Sequence, residues 1–384
     1  MRLFPFPVSL LLVSIPLSAS SFTKTYGGAE VDRGVSVALT ADGGYVMVGL
    51  SSSFGDGGED VYLVRTDAQG EVVWERSYGG GEEDAGWAVH ESAGGGFLVG
   101  GFTKSYGAGG FDCLLLRTNS AGELQWQKTY GGEKDDRCWA LQPTADGGFV
   151  LAGETKSFGR GEEDVYLLKL GESGEEEWSK TFGGLKGDRG FSVVQTADGG
   201  FLIAGQTYSQ GAGDRDAYVI KTDPSGGLQW SETYGGEASD VGHAIAPTAD
   251  GDGYLVVGYT ASFGVGADDP YLIELGTAPE PRWTRILPGE GVNRTITGAR
   301  ATDGGYFLVG FTFLPAKREG GALLIKVKAD GQPEWKEHLF YGSVGDSLAY
   351  TVVGTADGGC IVTGHTTTRG AGKMDAFLHK VDPE

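Results

Sequence analysis

Thr144-Ala145-Asp146-Gly147-Gly148-Phe149 is the stretch on which the fold turns. Its Asp-Gly pair marks a tight hairpin, because the central residues of such turns need positive φ. Before it runs Cys138 to Thr144, and after it Phe149 to Thr155, which carries Gly153. Both runs have strand character. A third run follows, Val165 to Leu170, then the turn Gly171 to Gly174, then Glu176 to Phe182. This last run alternates sides, with Trp178, Lys180 and Phe182 on one and Glu177, Ser179 and Thr181 on the other. Helical periodicity is absent, so the unit reads as four short antiparallel strands.

The unit repeats. The turn returns at Asp42, Asp198, Asp250, Asp303 and Asp357, with Gly94-Gly95-Gly96 in its place in the second copy, and Trp74, Trp126, Trp178, Trp230, Trp283 and Trp335 recur every 52 or 53 residues. Four-stranded sheets must bury both broad faces, and stacking them radially does so while leaving only short edges. The expected fold is all-β, a seven-bladed β-propeller of four-stranded antiparallel blades. Seven turns but six tryptophans are explained by ring closure. Phe22-Thr23-Lys24-Thr25-Tyr26-Gly27-Gly28 aligns with Trp126-Gln127-Lys128-Thr129-Tyr130-Gly131-Gly132, and the chain ends just after a third strand. Residues 21–28 should therefore supply the outer strand of the last blade, within a single domain spanning 21–384. The 69 glycines reflect turns and close approach of blades.

Residues 1–20 have a basic start at Arg2, a short apolar run up to Pro16 and small residues around Ser20, the pattern of a cleaved secretory signal rather than a span of about 20 apolar residues. The expected location is secreted, periplasmic or cell-surface, with no membrane span after cleavage and a monomeric chain. A net charge of -22 excludes nucleic acid as partner, since polyphosphate binding needs a basic footprint. Cys113, Cys138 and Cys360 are odd in number and lack metal-ligand or CxxC spacing, so no disulfide framework is indicated. A bridge from Cys113 to Cys138 would need Cα atoms within about 7 Å. Cys360 stands where other copies have an aromatic residue and should fill a core slot.

The motifs Trp-x-x-x-Tyr-Gly-Gly-x-x-x-Asp (126–136), Thr-Ala-Asp-Gly-Gly-aromatic (144–149), Gly-x-Thr-x-Ser-Phe-Gly (153–159) and Asp-x-Tyr-Leu (164–167) resemble the repeats of secreted bacterial and archaeal seven-bladed β-propellers, distantly similar to quinoprotein-like propellers. The resemblance covers the chain after the leader. It implies the fold and is nearly silent on activity. Adjacent cysteines of some quinone-dependent dehydrogenases are missing, so cofactor use does not transfer. Copies five to seven depart most, with Leu287 and Leu339 for Tyr, Asn293 for one Asp and Gly321 for another.

Two acidic series recur. Asp32, Asp84, Asp136, Asp188, Asp240, Asn293 and, with a one-residue slip, Asp346 precede the inner strands; Asp60, Asp112, Asp164, Asp216, Asp269 and Asp375 open the third strands. Both belong on one end of the disc, which should carry a crown of carboxylates. Their leading role is to accept hydrogen bonds from glycine-rich loops. A sharper reading is Ca²⁺ held by Asp60, Asp214, Asp216, Asp268 and Asp269, although no EF-hand spacing appears. One inner-strand position varies as Val35, Trp87, Trp139, Phe191, His243, Ile296 and Tyr350. By alternation these side chains should pack between blades. If instead they border the channel, Trp87, Trp139, His243 and Tyr350, with Asp84 and Asp136 beside them, form a stacking surface for a ligand. The six outer-strand tryptophans read as inter-blade core.

No Gly-x-Ser-x-Gly, HExxH, P-loop or dinucleotide fingerprint is present, and the five histidines are scattered. The expected function is therefore an extracytoplasmic, non-enzymatic binding or scaffold propeller engaging a protein, peptide or glycan through one acidic loop face. The alternative is a carbohydrate-active enzyme, a glycoside hydrolase or lyase, using channel-facing carboxylates.

Overall fold

In the third repeat, Asp136–Pro143, Phe149–Thr155, Asp164–Leu170 and Glu176–Phe182 pair antiparallel in chain order. The first strand begins at its Asp, two residues before the apolar run, because Asp136 pairs with Thr155. The computed structural model describes residues 21–92, 94–343 and 347–383 and consists of seven such four-stranded sheets. Residues 1–20, where the sequence places a signal, lie outside the described residues. Blades one to seven begin their inner strands at Asp32, Asp84, Asp136, Asp188, Asp240, Val292 and Ser347. The ring closes as the missing Trp requires. Phe22–Tyr26 pairs with Asp375–Val381, from Phe22 opposite Lys380 to Tyr26 opposite Ala376. Phe22 packs on Tyr45 of blade one at 6.0 Å, much as Trp74 packs on Phe97 of blade two at 5.6 Å.

The middle two strands of blade three are buried at every position, since both faces of each sheet lie against neighbouring blades. Apolar clusters accordingly span blade pairs, such as Leu98, Leu115 and Cys113 of blade two with Leu151, Tyr166 and Leu168 of blade three. A backbone bond repeats between blades as well. The amide N–H of Asp188 donates to Glu163 O at 2.8 Å, that of Asp240 to Arg215 O at 2.9 Å, that of Asn293 to Asp268 O at 2.8 Å and that of Asp32 to Met374 O at 2.8 Å. At the opposite end, the third-strand cation reaches the turn Asp of its own blade. Lys169 Nζ lies 2.9 Å from Asp146 and Lys380 Nζ 2.8 Å from Asp357. Blade five inverts the pair, with Glu274 in the strand and Arg282 bridging it to Asp250.

Three expectations are corrected. Cys113 and Cys138 do form a disulfide, with Cα atoms 5.0 Å apart. Spacing rules miss it because the two cysteines sit on adjacent blades, on strands that face one another. Cys360 is free and fully buried, as its core slot requires. In blade seven the Asp slot is filled by Ser347, which pairs with Thr366 as Asp136 pairs with Thr155; Asp346 lies outside the described residues. The third correction concerns the inner strands. Cys138 pairs with Gly153 and Ala140 with Ala152, so Trp139 between them is an unpaired bulge. The same shift recurs at residues 35, 87, 191, 243, 296 and 350. Gly153 permits it, since a Cβ there would stand 1.8 Å from Arg137 O. A bulge breaks strict alternation and re-aims the side chain it carries. The variable residue therefore leaves the blade interface for the axis.

Candidate functional site

The bulge residues meet at the centre of the ring. Trp87 lies edge-on to Trp139 at 4.7 Å and to Tyr350 at 6.0 Å, although Trp87 and Tyr350 belong to blades two and seven, which are not neighbours. Phe191 stacks on His243 at 4.9 Å. Aromatic rings thus plug the axis. His243 is held neutral, its pKa driven down to about 4 by burial and by the nearby Arg215 and Arg294.

The recurrent aspartates have a different setting from the exposed crown that the sequence suggests. Asp84, Asp136, Asp60, Asp216 and Asp269 are all at most 1% exposed. Asp136 accepts hydrogen bonds from Gly132 N at 2.7 Å, from Ser157 Oγ at 2.6 Å and from the Thr155 hydroxyl. Asp84 is bonded in the same way by Gly80, Ser105 and Thr103. Asp60 accepts from Asp56 N, Asp216 from Gly213 N and Asp269 from Val265 N, Gly266 N and Gly289 N. These carboxylates organise loops. Gly131 lies between Asp112 and Asp136 of adjacent blades, where a Cβ would come within 2.2 Å of one carboxylate and 2.7 Å of the other. Surface acidity on this end comes from other residues, among them Asp56, Glu82, Glu133 and Asp214. Asp214 is exposed, and Asp268 pairs with Arg294 at 2.8 Å. The five candidate calcium ligands are thus spread over three blades, and among the described residues no group of three His, Cys, Asp or Glu side chains is placed to hold a metal.

What varies on this end is a belt just above the plug. It is built from the residue after each first-strand Asp, the residue before each second-strand Thr and the residue before each third-strand Asp. In blade two the belt is aromatic. Phe102 and Phe111 meet at 5.3 Å, Phe102 touches Trp139 at 5.4 Å, and the Arg137 guanidinium covers Phe111 at 4.0 Å. From blade three to blade six it becomes polar. Arg189 Nε lies 2.7 Å from both Glu154 and Glu163, and Arg137 reaches Glu154 at 3.3 Å. Arg215 donates to Tyr259 Oη at 2.7 Å and Gln206 Oε1 at 3.2 Å, while Arg294 packs over the Tyr259 ring at 4.6 Å. Burial pushes the Glu154 carboxyl above the usual carboxylate range, with Arg189 opposing and Glu163 adding to the rise. Of the candidates named from sequence, Trp87, Trp139 and Tyr350 come together at the axis, while His243 packs with Phe191 and Tyr259; Glu154, Glu163, Arg189, Arg215, Tyr259 and Arg294 were missed. The signal was present, since these positions differ between copies while their neighbours repeat.

The molecule is a seven-bladed β-propeller with a side-chain-filled axis and one asymmetric mouth. Its fold is similar to that of Kuenenia stuttgartiensis hydrazine synthase, with TM-score 0.57 and 12% identity over 88% of this chain and 94% of that one. It is also similar to the WD40 domain of Neurospora crassa Pan2, with TM-score 0.51 and 9% identity over 91% and 90% of the two chains. At such identities the likeness concerns the fold alone. No family model and no curated protein matches the sequence.

Proposed function

We propose that this chain is an extracytoplasmic, non-enzymatic binding propeller of the secreted bacterial and archaeal repeat type, and that its ligand seats on the channel mouth. The observation that carries the reading is where the seven copies differ. Structural positions such as Asp136, Gly131 and Lys169 recur around the ring, whereas the belt changes character from blade to blade. Selection for folding alone has no need of that asymmetry, and a ligand does. The leader-like residues 1–20 and the Cys113–Cys138 bridge support an oxidising compartment. The test is glycan- and peptide-array binding by the secreted chain, alongside Trp139→Ala and Glu154→Gln. Loss of binding in both variants, with Lys180→Gln on the outer rim unaffected, supports the mouth; equal binding by all three rejects it.

Glu154 favours a second reading. A buried carboxyl of raised pKa suits the general acid of a glycoside-cleaving enzyme, with Glu163 as a second carboxylate nearby. Both carboxylates are, however, held by Arg189. Turnover of a glycan substrate that Glu154→Gln abolishes would establish this alternative.

A further inference from the structure

Two inter-blade contacts of the belt are ion pairs, and another places a cation in the same geometry without one. The residue before each third-strand Asp faces the residue after the first-strand Asp of the next blade, because the recurrent backbone bond holds the two segments together. At the junction of blades three and four this brings Glu163 to Arg189, and at that of blades five and six Asp268 to Arg294, each an ion pair. Between blades four and five the same geometry brings Arg215 to Val241, through the bond from Asp240 N to Arg215 O. Arg215 has no carboxylate partner among the described residues. Its two hydrogen-bond acceptors, Gln206 and Tyr259, are neutral, and its Nε–H is buried without an acceptor. The neighbouring His243 contributes no compensating charge.

The two groups it touches offer donors as well. Tyr259 Oη and Gln206 Oε1 are already occupied in accepting from Arg215, which leaves the Tyr259 O–H proton and the Gln206 amide hydrogens to donate. Guanidinium nitrogens only donate, so what satisfies Arg215 is an acceptor-rich anionic group. A peptide binds a sheet chiefly through an unpaired strand edge. This belt offers side-chain donors and aromatic rings, which suit a sugar.

We propose that Arg215 reads a carboxylate on the ligand, and that the ligand is a uronate-bearing glycan. The inference rests on the channel mouth being the binding seat. The probes are trigalacturonic acid, its methyl ester and a peptide with a free C-terminal carboxylate, titrated calorimetrically into the secreted chain. The acid should bind at least tenfold more tightly than the ester, and more weakly as salt is raised. Arg215→Gln, with an unchanged melt, should abolish that preference, whereas Arg215→Lys should keep part of it. Because esterification alters only the probe, the comparison holds even if a variant folds poorly. Equal binding of acid and ester that Trp139→Ala weakens would overturn the carboxylate inference and leave the seat intact. Binding of the peptide alone, or of no uronate, would overturn the glycan assignment. Binding that neither Arg215→Gln nor Trp139→Ala alters would overturn the seat itself.

Discussion

Trp87 of blade two and Tyr350 of blade seven stand edge to face, 6.0 Å between ring centres, with blade one between their strands in the ring. Contact between blades that are not neighbours can occur only across the axis, so the plug ties together parts of the ring that the sheets leave separate. Trp87→Ala removes the contacts with both Trp139 and Tyr350. A loss of about 3 kcal/mol in urea unfolding is expected, as for a large aromatic truncated in a packed interior. A loss under about 1 kcal/mol would mean that the rings merely occupy the channel.

The plug also marks the boundary of what the sequence discloses. Blade number, strand order and closure by Phe22–Tyr26 follow from Trp and Asp-Gly spacing, because each repeat encodes one complete hairpin series. Trp139 was expected between blades, since strict alternation assigns it there. The recurrent Gly153 opposite was the available sign of a bulge, as a glycine inside a strand often marks one. The belt was harder to see. Arg189 meets Glu163 only because two loops of different blades are bonded together, and no spacing within a single copy reports that contact.

The Cys113–Cys138 bridge joins the third strand of blade two to the first strand of blade three, across a separation of 25 residues. Cross-linking a loop of that length stabilises by about 3 kcal/mol, chiefly by restricting the unfolded chain. Replacing both cysteines by alanine should lower the unfolding free energy by roughly that amount. Reductant should then shift the melt of the parent and leave that of the double variant unchanged. A parent insensitive to reductant after unfolding and refolding would show that the bridge does not form.

Ring closure rests on five backbone pairs and on Tyr26, whose hydroxyl donates to Gly70 O of blade one at 2.8 Å. Tyr130 makes the same bond to Gly174 O at 2.5 Å. Tyr26→Phe should cost about 1 kcal/mol, the usual net worth of one such bond. Deleting residues 21–28 exposes the edge at Asp375–Val381 and should lower the melting temperature far more and promote association between chains. An unchanged melt after the deletion would contradict closure by the N-terminal strand.

Calcium dependence can be tested directly. Asp269 spends its carboxylate on three backbone N–H groups and Asp268 on Arg294, while Asp214 stands in solvent. A bound cation would stabilise the folded chain in proportion to the logarithm of its concentration. The melting temperature should be the same in chelator and in millimolar calcium. A rise with calcium that Asp269→Asn removes would instead place an ion at this loop.

Asp60 gives a pH prediction of definite sign. Its carboxyl is 1% exposed, and a Cβ on Gly79 would touch both it and Asp84 of the next blade. Burial, with Asp84 contributing, raises its pKa to about 6. The folded state therefore binds the proton more tightly than the unfolded chain. The associated stability is fully present below about pH 4 and is lost as pH rises through 6. Asp60→Asn removes the charge and keeps an acceptor for the Asp56 N–H, and the chain already has an amide in such a pair, where Asn293 follows Asp269. The variant should match the parent near pH 4 and exceed it above pH 6.5, by roughly 1–3 kcal/mol given a shift of about two units. A variant less stable than the parent at pH 7 would mean that the second carboxylate oxygen is needed charged, and that the pair is held by something other than the bonds described here.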